Sequence, residues 1–142
     1  MKIGYEDFVS YDVAKLLQEN GFDWPTVPFY DIKKKEFCSR VGNVYQPCDW
    51  YHTYPERKFY SAPTHQMACE WLRQKHNLSV EVYRTACGWI GCVVAIPSGT
   101  DIKFLEDDGD DPASGTYTSH FGAAEATIKY CLENLINKEE RL

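Results

Sequence analysis

Long apolar runs are missing from this chain. The longest is "VVAI", Val93 to Ile96, against the roughly 20 consecutive apolar residues that a helix needs to cross a bilayer. No membrane partner is expected. The N-terminal "MKIGYEDFVSYDVAKLL" places acids where a signal peptide carries an uninterrupted apolar stretch, so a cytoplasmic location is expected. Catalytic signatures are equally scarce. The sequence contains no G-x-S-x-G, no H-E-x-x-H, no phosphate-binding loop and no Rossmann glycine pattern. No catalytic residue is assigned from the sequence, and no cofactor is expected. Dense positive charge is also lacking. The net charge is −6, and the only basic run is Lys33 to Lys35, which reads as a solvated turn. Nucleic-acid binding needs a positive field, so nucleic acid is not expected as a partner.

What is present fits one globular domain. A chain of 142 residues with 44% hydrophobic content is long enough to bury a sizeable core. The expectation is a single domain over residues 1–142, with a frayed tail from about residue 138. The acids are concentrated, six of them with one lysine between Asp101 and Asp111. Six cysteines occur without an export signal, so they are expected to remain free thiols, acting mostly as small buried hydrophobes.

Local patterns place the elements. Ser10 can cap a helix over Tyr11 to Asn20, in which Val13, Ala14, Leu16 and Leu17 form one apolar side and Gly21 ends the helix. From Phe22 to Pro63 prolines forbid long helices, while "VPFYDI" and "KFYS" favour strands and Gly42-Asn43 suits a hairpin turn. A second helix follows Thr64, with Met67, Ala68, Trp71 and Leu72 inward. "LSVEVYR" alternates, with Leu78, Val80 and Val82 on one face and Ser79, Glu81 and Tyr83 on the other. "WIGCVVAIP" is apolar on both faces, as a central strand is, and should pair with it as an antiparallel hairpin. Further strands are expected around Ile102 to Leu105 and at "TYTSHF". A last helix, "GAAEATIKYCLENLIN", buries Ala124, Ile128, Cys131 or Leu132, and Leu135, with Glu125 and Lys129 outside as an i, i+4 pair. The fold class expected is α+β, a mostly antiparallel sheet with about three helices packed on one face.

Three blocks, "FVSYDVAKLLQENGFD", "SAPTHQMACEWLRQKHNLSVEV" and "HFGAAEATIKYCLENLI", resemble in order a family of short uncharacterised proteins. These recur in gut Bacteroidota and in their phages and prophages. The family's third block usually opens with an aromatic followed by two acids, where this chain has Phe121, Gly122 and Ala123. The resemblance implies a cytoplasmic protein carried by mobile elements. It brings no catalytic motif to any position here.

Candidate sites can be weighed by chemistry. His65 and Cys69 stand one helical turn apart, and Cys87 and Cys92 flank the hairpin, but structural zinc usually takes two tight cysteine pairs. No metal ligand is assigned. "EDDGDD" gathers oxygen donors, yet alignment of Gly109 with the central glycine of a calcium loop puts Phe104 and Gly115 at ligand positions. His120, just before the last helix, reads as an exposed helix-start residue. Trp50, Tyr51, His52 and Tyr54 lie between turn-forming residues; neighbours along a strand point oppositely, so at least one should be exposed, and the group reads mainly as packing and secondarily as a binding patch. The leading expectation is binding of a host or phage protein without chemistry. The alternative is a small-ligand or metal-binding domain, catalytic or not, with histidines and cysteines gathered in a cleft. An exposed sheet edge would allow homo-oligomers, and an acidic decoy built on Glu106 to Asp111 ranks last.

Overall fold

A computed structural model describes residues 8–26, 28–38, 59–105 and 109–136. Within them, three α-helices and six strands make an α+β fold with antiparallel pairing throughout. The strands are shared between two three-stranded sheets, not gathered in one. The described residues fall into two compact units that divide between Thr64 and His65. No helix among the described residues is long and apolar enough to cross a membrane.

The first unit opens with α1, Tyr11–Glu19. The Ser10 hydroxyl accepts the Val13 N–H at 3.3 Å, satisfying one of the amides that a helix start leaves unpaired. At the other end Gly21 adopts φ +91°. The Gly21 N–H then donates to Gln18 and the Phe22 N–H to Leu17, a Schellman closure that needs a residue free to turn left-handed. Val13, Ala14 and Leu17 are buried. The unit's sheet comprises β1 (Phe29–Asp31), β2 (Glu36–Cys38) and β3 (Phe59–Ser61), in the order β2-β1-β3. The basic run is indeed a turn: Asp31 Oδ1 accepts the N–H groups of Lys33 and Lys34, and Lys35 takes φ 55° to return the chain into β2. Tyr11 meets the rings of Tyr30 and Tyr60 edge-on, so α1 lies against this sheet through aromatic contacts. The proposed Gly42-Asn43 turn lies outside the described residues.

The second unit opens with α2, His65–His76, which buries Ala68, Trp71 and Leu72. Asn77, with φ 55°, turns the chain directly into β4, Leu78–Arg84. β5, Trp89–Ala95, returns antiparallel from Arg84↔Trp89 to Leu78↔Ala95, the hairpin expected. β6, Asp101–Leu105, pairs on the far side of β5 with a bulge opposite Val93 and Val94. The order β4-β5-β6 makes β5 central, which accounts for its two apolar faces. "TYTSHF" contributes a single bridge, Trp89↔Tyr117, in place of a full strand. The last helix, α3 (His120–Tyr130), starts two residues earlier than its apolar pattern suggests, because Ser119 caps it by accepting the Gly122 N–H at 2.9 Å. A π-helical turn, Cys131–Leu135, extends it.

Candidate functional site

Trp50, Tyr51, His52 and Tyr54 lie outside the described residues. The histidines and cysteines of the second unit can be placed, and they are not gathered in one cleft. His120 is exposed at the start of α3, its ring edge-on to Trp89 at 5.1 Å. Cys87 is exposed in the β4–β5 turn, and Cys92 is buried within β5. Among the described residues no three His, Cys, Asp or Glu side chains are grouped as metal ligands would be.

His65 has a different partner from the one its spacing suggests. Its Nε2 lies 2.6 Å from Glu125 Oε2, and the two side chains are only 11% and 16% exposed. The two groups share one short hydrogen bond. Phe121 stacks beside the imidazole with ring centroids 4.8 Å apart. Glu125, expected on the outer side of α3, is thus turned toward α2, because the first turn of α2 lies beside Phe121 and Glu125. A histidine oriented by a carboxylate is the geometry of a general base. Here, however, burial pushes the Cys69 thiol one turn away up to about 11. A thiol that keeps its proton at neutral pH is a poor nucleophile. The pair acts as a tie between α2 and α3. Alanine at His65 and at Glu125, singly and together, is expected to give a coupling on the order of 1 kcal/mol in urea unfolding, the size of a mostly buried charge-assisted hydrogen bond. Strictly additive losses would show that the tie contributes nothing.

The sheet of this unit has two unlike faces. Cross-strand partners point to the same side, so the register sorts every side chain. One side carries Leu78, Val80, Val82 and Arg84 with Ala95, Val93, Gly91 and Trp89, and then Lys103 and Leu105. α3 closes this side. A cluster of Leu105, Tyr117 and Ala123 forms there, with Val82, Trp89, Ala126 and Tyr130 packed against it. Gly91 lies directly under Thr127 and Ala123.

The other side carries Tyr83 with Ile90, then Glu81 with Cys92 and Phe104, then Ser79 with Val94 and Asp101. Tyr83 is 42% exposed and Phe104 39%, and Ile102 in the bulge is 42% exposed. Ile90 and Cys92 form a buried floor between the larger side chains. The Cys92 thiol, pushed up to about 11 by burial first and by the neighbouring Asp101 carboxylate second, keeps its proton and donates it to Asp101 Oδ1 at 3.7 Å. Among the described residues this face offers aromatic and aliphatic surface with carboxylates. Large exposed apolar groups sharing one sheet face mark interaction surfaces in soluble proteins. Half of this face is legible in "LSVEVYR", where Glu81 and Tyr83 fall on the outer register. Phe104 was not, because its side depends on how β6 pairs with β5.

Comparison with protein-family models, with curated proteins and with solved structures returns no match to this chain.

Proposed function

We propose that this chain is a phage or prophage accessory protein that works by binding another protein in the host cytoplasm, with no chemistry of its own. The observation that carries the reading is the open face of the second sheet. Tyr83 and Phe104 are exposed there, while α3 covers the opposite side. Tyrosine and phenylalanine are enriched in protein interfaces because they desolvate large areas at small cost in side-chain freedom. The resemblance of the three sequence blocks to the phage and prophage family supports the biological setting. Trp50, Tyr51, His52 and Tyr54 belong to the same proposal on sequence grounds alone.

The test is capture of a partner from host lysate by the full chain and by the Tyr83→Ala/Phe104→Ala variant. Both substitutions remove exposed surface, so thermal unfolding should change little. Capture of a specific partner should fall by at least about tenfold, the scale set by removing interface aromatics. Equal recovery with and without the two rings would move the binding surface elsewhere, and the absence of any specific partner would remove the reading.

A further inference from the structure

We infer that the outer edge of β6 takes up an extended, basic segment of the partner protein as an added strand. The inference rests on the protein-binding reading and gives the partner its chemistry. Three observations combine.

The first is an open edge. β6 is the last strand of its sheet and pairs only with β5 among the described residues. Trp89 exchanges both backbone hydrogen bonds with Tyr117, and the Ala95 N–H donates to Thr100, so alternate β5 residues aim their peptide groups toward the β6 side. Alternation makes Gly91↔Leu105 and Val93↔Lys103 the hydrogen-bonded pairs, and leaves the N–H and C=O of Phe104 directed outward. Unpaired strand edges are templates for a further strand. The bulge at the start of β6 breaks the ladder there, which centres any added strand on Phe104.

The second is apolar exposure on this same strand. Ile102 and Phe104 stand beside the outward peptide groups, both more than a third exposed. An added strand would present every second side chain to them.

The third is a sorting of charge. Of the charged residues on β4 to β6, both acids, Glu81 and Asp101, lie on the open face with Cys92 and Phe104. Both cations lie on the face closed by α3, with Lys103 over the Tyr130 ring and Arg84 over the Trp89 ring. A second copy pairing through β6 would bring like carboxylates together, in a chain whose net charge is already −6. A strand alternating cations with aliphatic residues meets the same surface with complementary charge.

The experiment is an amide NMR titration of the full, isotope-labelled chain with a short synthetic peptide of alternating lysine and valine. Its glutamate–valine counterpart is the control. Shifts are expected at Ile102 to Leu105 with the lysine peptide and not with the control. Phe104→Pro removes an N–H that makes no bond to β5, so the fold should persist while affinity falls about tenfold, a cost of about 1.4 kcal/mol. Asp101→Asn, on β6 itself, keeps the shape and should weaken the lysine peptide by about threefold. Unchanged affinity of both variants, shifts confined to other surfaces, equal response to the glutamate peptide, or dimerisation through β6 in place of peptide binding would each overturn the inference. If the peptide fails while Tyr83→Ala/Phe104→Ala still loses its captured partner, the edge model falls and the protein-binding reading stands. If capture fails too, both fall.

Discussion

Replacing Gly91 by alanine is expected to lower folding stability by about 3 kcal/mol, the upper range for overpacking a core. The sign is informative, because Gly to Ala at a compatible backbone position ordinarily stabilises by roughly 0.4–1 kcal/mol. At Gly91 the obstacle is packing. A Cβ there would overlap the Thr127 hydroxyl and would lie 3.0 Å from Thr127 Cβ and 3.3 Å from the Ala123 carbonyl oxygen. Thr127 has little freedom to retreat. It is fully buried, and its hydroxyl donates to Ala123 O at 2.7 Å. Glycine at this position lets α3 rest directly on the central strand.

The same contact predicts a rescue. Thr127→Ala alone removes one local hydrogen bond and should cost about 1 kcal/mol. In the double variant the overlapping oxygen is gone, so most of the Gly91→Ala loss should return. Urea unfolding of the four proteins reads the coupling directly. A Gly91→Ala protein as stable as the parent would mean that α3 does not seat on β5 at this point.

This packing also explains what the sequence could and could not show. Ser10, Gly21 and the Val13–Leu17 stripe are local signals, and α1 follows them closely. The hairpin of β4 and β5 was legible for the same reason, since period-two alternation and a short turn need no distant partner. The Lys33–Lys35 turn was legible as well, but β2 just beyond it was not. Strands of three residues carry too little pattern, and their existence depends on pairing with β1. Division of the strands into two sheets is a long-range property of the same kind. So is the turning of Glu125 toward His65: a helical wheel of α3 sees only α3. The open face was half visible, because Tyr83 and Glu81 follow from alternation in β4. Phe104 and Asp101 join them only through the register across β5 and the bulge in β6. The candidate patch at Trp50 to Tyr54 lies outside the described residues, so the surface now supporting the proposed function is a different one.

Buried thiols should make the second unit sensitive to alkali. Burial pushes Cys69 from the ordinary 9.0 to about 11 and Cys131 to about 12, with Cys69 adding to the effect at Cys131. The unfolded chain therefore ionises these thiols first. Their contribution to stability is complete below pH 9, and it drains away as the pH rises from 9 through 11 and toward 12. A shift of two units corresponds to about 3 kcal/mol for Cys69. Thermal or urea unfolding between pH 8 and pH 11 should show a steep loss. Lysines and tyrosines also titrate in this window, so the comparison that matters is with Cys69→Ala and Cys131→Ala. Each variant is expected to be somewhat less stable at neutral pH, since a small cavity opens, and yet to lose less on going to pH 11. Alkylation near pH 8 offers an independent check. A thiol pushed to about 11 presents roughly a hundredfold less thiolate than it would at the ordinary 9.0, and Cys87 is exposed, so iodoacetamide should mark Cys87 long before Cys69 or Cys131. An alkaline slope unchanged by either alanine would show that these two sulfurs ionise as freely in the folded protein as in the unfolded chain.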